Sequence, residues 1–352
     1  MTDTLFRAYV PLLLWPGLGL LLFRVLPDTF PRLLGRTLYW VGVPLEIFSL
    51  IRRASLSGRV GVTPLITVLG LATGLILAEI CWRGLSQLAK AESASAAQGW
   101  NPLWAETLTP EPHKPPAELD PPIDSVCDSA SVAPSENRAL RGSFTLASMI
   151  GNTGFVGLAI APTLIDPDYL SWVVFYSVAH NIVGSYGLGV FVASYFGRPE
   201  LGSSLWQRLR ELLRVPSLWA FGLGLATRSL PFPDLVETGL ERSVWVVIPL
   251  ALLLMGMRLS QVRSWQSVRL ALIPCLIKIG LIPLVVGTVT LLVGLPKPAC
   301  LAMVLMSGMP SAFANLILAE EYDLDRNLIA TAIALSTSLI LVTVPLWLWL
   351  FG

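Results

Sequence analysis

The sequence predicts an all-α polytopic membrane protein, with ten transmembrane helices forming two inverted five-helix repeats and with helices 4 and 9 broken where they cross. Three observations lead there. The 352 residues are 54% hydrophobic and 13% charged, with a mean hydropathy of +0.68, whereas about a quarter of a soluble domain is charged. Apolar runs of spanning length recur along the chain. Several Pro, Trp, Gly and Arg positions recur at constant offsets, so the two halves share one plan.

The runs cover 5–26, 34–51, 60–82, 140–164, 170–196, 215–230, 239–257, 266–293, 298–319 and 327–351. Each has about the length needed to cross a hydrocarbon core of roughly 30 Å as a helix. The first carries Arg7 and no small-x-small cleavage site, and Pro27-Asp28 leads straight into the next run, so it reads as a helix and not as a removed signal. With the N-terminus outside, the inner connections hold 16 Lys and Arg residues and the outer ones 6. That excess places both termini outside a plasma (cell inner) membrane. A net charge of +1 says nothing about nucleic acid, and no basic run interleaved with aromatics suggests it, so no nucleic-acid partner is expected. Cys81, Cys127, Cys275 and Cys300 lack paired spacing and read as small apolar fillers, so neither a metal nor a cofactor is expected.

The organisation that follows is residues 1–83 for spans 1–3, a linker at 84–138, residues 139–197 for spans 4 and 5, and residues 198–352 for the second repeat. The linker holds eight prolines, eight acidic and three basic residues. It lacks the apolar density to fold and is expected to be a disordered cytoplasmic loop. Trp100 and Trp104 within it are either floppy-loop aromatics or a short partner-binding segment.

The repeat is read from Val10-Pro11 and Gly17-Leu18-Gly19-Leu20, which return as Val215-Pro216 and Gly222-Leu223-Gly224-Leu225. Trp40, Pro44, Leu45 and Arg53 return as Trp245, Pro249, Leu250 and Arg258, at the same offset of 205. Gly151 with Asp166-Pro167-Asp168 returns as Gly308 with Asp323-Leu324-Asp325 at an offset of 157, and the difference is close to the linker's length. Five spans per half is an odd number, which inverts the second copy. Inverted repeats with discontinuous helices are characteristic of secondary transporters.

Both copies are weak at the same place. The fourth run, with Gly151, Asn152, Gly154 and Gly157, is expected to stay helical to about Gly151-Asn152, break near Thr153-Gly154 and resume toward Pro162. The ninth breaks at SGMPSAFAN, where Pro310 removes a donor. Freed backbone groups survive in a membrane only inside protein or beside water, and the half-helix N-termini offer N–H groups to an anion.

Lys278 lies mid-span, too deep to reach either surface, and must face the interior. It reads either as a counter-charge for a carboxylate or as a tether to a broken helix's C-terminus. His180 is central in span 5, where it either titrates and links transport to protons or is a satisfied hydrogen-bonding residue. Glu46 and Glu79 sit nearer span ends, beside Arg52 and Arg83, where they pair or reach the interface.

GNTGFVGLAIAP resembles the fourth-span motif of auxin efflux (PIN-like) carriers, of the bile acid/auxin inverted-repeat type. GMPSAFANLILAEEYDLDRNLIATAIALSTSLILVTVPLWLWL resembles that family's C-terminal signature, and VGVPLEIFSLIRRASL and VIPLALLLMGMRLS its second and seventh spans. The likeness covers the chain outside 84–138. It implies a scaffold of spans 1, 2, 6 and 7, a moving domain of spans 3–5 and 8–10, and an elevator-like alternation that carries small organic anions. It carries the family's asparagines to Asn152, Asn181 and Asn315 and its crossover proline to Pro310. A homodimer through the scaffold is a further expectation. Two departures stand out: Ala159 replaces the proline after GFxGL, and the insertion lies between spans 3 and 4 instead of 5 and 6.

The expected function is a secondary carrier for a small carboxylate in the lipid bilayer, coupled to H+ or Na+ if to an ion at all. Asn152, Gly154, Asn181, Pro310, Ser311 and Asn315 would bind the substrate, with His180 and Lys278 for charge coupling. The alternative is a receptor or channel on the same fold. No HExxH, GxGD or GxSG with a membrane histidine is present, so an enzyme is not expected.

Overall fold

A backbone surrounded by hydrocarbon must satisfy its own N–H and C=O groups, so runs this apolar fold as helices. The computed structural model describes residues 2–27, 29–53, 59–96, 134–197, 213, 216–260 and 268–352. In chain order the helices are α1 (Thr2–Leu22), α2 (30–53), α3 (60–96), α4 (Pro134–Met149), α5 (Thr153–Leu164) and α6 (Pro167–Phe196). There follow α7 (Pro216–Ala226), α8 (Asp234–Leu259), α9 (Val268–Leu292), α10 (Lys297–Ser307), α11 (Ala314–Glu321) and α12 (Arg326–Phe351). Four carry wider π-helical turns: Leu38–Gly42 in α2, Thr153–Gly157 in α5, His180–Gly189 in α6 and Ile277–Leu281 in α9. Among the described residues no strand forms, and one isolated antiparallel bridge joins Gly151 to Ser311.

Length and hydropathy single out five spans among the described residues: Val60–Leu88, Pro167–Phe196, Asp234–Met257, Val268–Leu292 and Arg326–Phe351. Leu13–Leu22, Thr153–Leu164, Pro216–Ala226 and Lys297–Ser307 are apolar but shorter. The expected ten are not reached by this measure for physical reasons. Breaks divide two expected runs into α4 with α5 and α10 with α11. Helix α2 is diluted by Arg32, Arg36, Glu46, Arg52 and Arg53. The expected linker at 84–138 is also trimmed: α3 continues to Ala96 through a stretch with no proline or glycine after Gly84, and α4 begins at Pro134. Its middle, with Trp100 and Trp104, lies outside the described residues.

The helices pack in two groups. One joins α1, α2, α7 and α8. There α1 and α8 cross with backbones nearly touching: a Cβ at Gly19 would strike the Leu253 carbonyl, and one at Gly256 would strike the Pro16 backbone. Close crossings at glycine are how membrane helices gain van der Waals contact where lipid supplies no hydrophobic drive. The other group joins α3, α4, α6, α9, α10 and α12. Helix α5 lies between them, with Phe155 packed on a cluster that includes Leu34, Leu38, Val247 and Leu254 of the first group.

The ion pairs of the described residues lie toward the helix ends. Arg52 bonds the carbonyls of Thr227 and Leu230, pairs with Glu237 at 2.5 Å and lies 3.7 Å from the Phe232 ring centroid. Arg53 pairs with Glu241 at 3.1 Å. Toward the other end of α3, Glu79 pairs with both Arg83 and Arg141. Glu46 does not pair with Arg52, because that guanidinium is turned to the α7–α8 connection. Arg52→Ala should therefore lower stability by about 2–3 kcal/mol, the scale of losing charge-assisted hydrogen bonds. A melting temperature within a degree of wild type in detergent would refute this role.

Candidate functional site: the paired breaks

Helix α4 ends at Met149, and α10 ends at Ser307. Past these points each chain leaves the helix and meets the other. The Asn152 N–H donates to the Pro310 carbonyl at 2.7 Å, and the Ala312 N–H donates to the Ile150 carbonyl at 3.0 Å. The Ser311 N–H donates to Ser336 Oγ of α12 at 3.0 Å. Each break thus satisfies groups that the other exposes, which answers the cost of open backbone inside a membrane. Pro310, which has no N–H, contributes its carbonyl.

The first break lies a little earlier than the sequence suggests, at 150–152 and not at Thr153-Gly154. Asn152 is the reason. Its backbone leaves the helical region (φ −81°, ψ 65°), and its Oδ1 accepts from the Phe155 N–H at 3.2 Å, capping α5. A polar cap of this kind fixes where a helix can restart. The paired Asp-x-Asp segments act in the same way: Asp166 accepts from the Asp168 N–H at the start of α6, and Asp325 from the Leu328 N–H at the start of α12.

The three asparagines sit around the crossing in different states. Asn315 is fully buried, and its Nδ2 lies within 3.1–3.3 Å of Ser311 Oγ, the Leu146 carbonyl and the Ile150 carbonyl. It staples α11 to the end of α4. Asn181 is half-buried, and its Nδ2 lies 3.6 Å from where a Cβ on Gly154 would stand. Among the described residues no hydrogen bond engages the Asn181 amide, the Asn152 Nδ2 or the Gly154 N–H. Asn315→Ala should accordingly cost about 1–3 kcal/mol. Asn315→Asp should cost more, because it turns carboxylate oxygens onto carbonyls. The melting temperatures should fall in that order, and the reverse order would remove the staple.

Lys278 and His180 come to the crossing on the π-helical turns of α9 and α6. The Lys278 ammonium donates to the Ser307 carbonyl, at the C-terminus of α10. A Cβ on Gly151 would lie 2.8 Å from its Nζ, so the same ammonium also abuts the end of α4. His180 Nε2 accepts from the Gly151 N–H at 3.4 Å, and its ring stacks on Tyr176 at 6.0 Å. No carboxylate pairs with Lys278 among the described residues.

Sequence reasoning missed Ser336, the acceptor for Ser311. The run Ser336-Thr337-Ser338 inside an apolar span was the available signal. It also missed the hydroxyl pair Tyr39–Tyr186, 2.7 Å apart, which joins α2 to α6. Tyrosines in apolar runs give no warning of a partner 147 residues away.

Residues 200–348 match the family model described as membrane transport protein. Two archaeal relatives described as uncharacterized transporters, from Methanocaldococcus jannaschii and Methanothermobacter thermautotrophicus, are each 26% identical, over 201 and 194 residues. The matched stretches are 56% and 55% of this chain and 64% and 62% of the relatives, so less than two thirds of either relative is spanned. With its long apolar helices the chain is an integral, multi-pass membrane protein, and over the matched residues what it resembles is a membrane transport protein, not an enzyme.

Proposed function

We propose that the chain is a secondary carrier for a small organic anion, working by elevator-type alternating access. One observation carries the reading: two interrupted helices pair at Gly151 and Ser311, and beside them the Gly154 N–H, Asn152 Nδ2 and Asn181 Nδ2 find no acceptor among the described residues. These three donors stand at the N-terminus of α5, where the helix dipole favours negative charge. In this reading Asn152, Gly154 and Asn181 touch the carboxylate. Pro310, Ser311 and Asn315 hold the crossing in shape, and Lys278 with His180 sets its charge.

The finer reading has ten spans as two inverted five-helix repeats. The α1, α2, α7 and α8 group would be the scaffold and the other group the moving body, with α5 and its Phe155 sliding on the scaffold cluster. Both termini face outside the plasma membrane, a homodimer forms through the scaffold, and H+ or Na+ is the candidate driving ion. A receptor or channel built on the same helices would bind but not exchange. The test is counterflow in proteoliposomes with labelled malate and benzoate, after a thermal-shift screen of carboxylates. Preloading should accelerate wild-type uptake, and Asn181→Ala should lower it at least tenfold, about 1.4 kcal/mol, with an unchanged melting temperature. Equal uptake by the variant would remove Asn181 from the site, and lack of counterflow in wild type would favour a channel or receptor.

A further inference from the structure

Glu46 is the one fully buried acidic side chain among the described residues, 1% exposed, and its Oε1 has no hydrogen-bond partner. Its surroundings follow from helix register. Gly42, Glu46, Ser49 and Arg53 succeed one another at intervals of four, three and four, which keeps them on one face of α2. Both ends of that face meet α8. A Cβ on Gly42 would lie 3.5 Å from Val247, and Arg53 reaches Glu241 and the Glu237 carbonyl. Between these points register puts Val244 on the same side of α8 as Glu241 and Val247, while the Ser243 hydroxyl is spent on its own helix. Ser49, one turn from Glu46, is equally buried, and its Oγ also lacks a partner among the described residues.

Among the described residues no charge neutralises this carboxyl. On α2 itself, Arg52 and Arg53 are engaged with Glu237 and Glu241 of α8. The other ionisable side chain of that stretch of α8, Arg242, is exposed. Helix α6 contributes Tyr169, Tyr176, His180, which accepts from Gly151, and Tyr186, which shares a hydrogen bond with Tyr39 of α2; its Asp168 is exposed, and α7 contributes no ionisable side chain. An isolated carboxylate in such a place costs several kcal/mol, whereas the neutral acid costs far less. Intramembrane acids without a structural partner mark ion and proton paths. The place also fits one. Leu38, two turns before Glu46 and roughly 12 Å along the axis, shares its apolar cluster with Phe155 of the broken helix.

We propose that Glu46 is a proton-binding site, distinct from the paired breaks, that is filled in this conformation and empties when water reaches the face between α2 and α8. On release the carboxyl O–H bond breaks, the proton passes to a water molecule as hydronium, and the carboxylate stays behind until a proton returns. Where the carrier reading above holds, this exchange ties anion movement to the proton gradient. The existence of the site does not depend on that reading.

Infrared difference spectroscopy of the full chain in nanodiscs, between acidic and alkaline buffer, reads the proton directly. Wild type should show a protonated-carboxyl band that is lost in Glu46→Gln and kept in the control Glu79→Gln. If Glu46→Gln retains every wild-type carboxyl band, the proposal is overturned. In proteoliposomes, an inward gradient of one pH unit can sustain about a tenfold accumulation per proton carried. With labelled malate or benzoate, Glu46→Gln should lose this accumulation while exchange persists. Accumulation equal to wild type would break the coupling. A wild type that exchanges neither probe counts against the anion-carrier reading, and the infrared band then decides the proton site alone.

Discussion

Gly151→Ala will lower the melting temperature and abolish counterflow, while Gly154→Ala, three residues on, will leave the fold intact. A Cβ at 151 would lie 2.6 Å from Lys278 Cε, 2.8 Å from its Nζ and 3.1 Å from the Met309 carbonyl. A long side chain normally swings away from such a clash. Lys278 is pinned by the Ser307 carbonyl, and the Met309 carbonyl belongs to the facing break. The methyl group therefore has to push the two breaks apart, an overpacking cost of about 1–3 kcal/mol, and the pairing of Asn152 with Pro310 stretches with it. At Gly154 the added Cβ meets only the Asn181 amide, at an ordinary 3.6 Å. There the damage falls on solute binding. Thermal unfolding and uptake on the same preparations separate the two. If the clash is the cause, adding Lys278→Ala to Gly151→Ala should restore part of the lost stability, a coupling visible in a double-mutant cycle. Additive losses would mean that Gly151 matters for another reason.

Much of this was legible in the sequence because membrane helices are written in composition. Apolar runs announce α3, α6, α8, α9 and α12, and Gly, Asn and Pro inside such runs announce trouble at 151–154 and at 308–311. The pairing of the breaks was not written in the same way. Which carbonyl takes the Asn152 N–H is decided by two segments about 160 residues apart, and neither segment encodes the other's backbone path. Register at the first break failed for a related reason: tertiary pairing by Ile150 and Asn152 overrode the local expectation that glycine at 154 would be the weak point. Glu46 shows the opposite failure. Nearness to Arg52 in sequence suggested a salt bridge, but six residues along a helix places the two side chains on different faces. Arg52 found carbonyls freed at the end of α7 instead. Lys278 was readable as buried, but which of its two roles applies depended on where Ser307 ends its helix.

Lys278→Met will cost transport far more than stability. The methionine keeps nearly the same length and removes the charge. Two opposing terms then act on the fold. Losing the bond to Ser307 leaves a helix-terminal carbonyl less satisfied and removes a cation from two helix C-termini, each such contact worth about 0.3–1 kcal/mol and up to about 2 when partly buried. Against this, an ammonium without a carboxylate no longer has to be kept out of water, which returns several kcal/mol. The melting temperature should therefore hold or rise. Anion handling has no such compensation. The partial negative charges at the ends of α4 and α10 sum to about one unit, and with the ammonium gone they are left unopposed one residue from Asn152, where the carboxylate is proposed to sit. A tenfold or greater fall in apparent affinity, about 1.4 kcal/mol, should follow in counterflow and in the carboxylate thermal-shift titration. Lys278→Arg keeps the charge but brings a larger head against Gly151, so it should lose stability while retaining more affinity than Lys278→Met. If the methionine variant instead unfolds and the arginine variant is stable but inert, the lysine is a structural pin and the field at the breaks has another source.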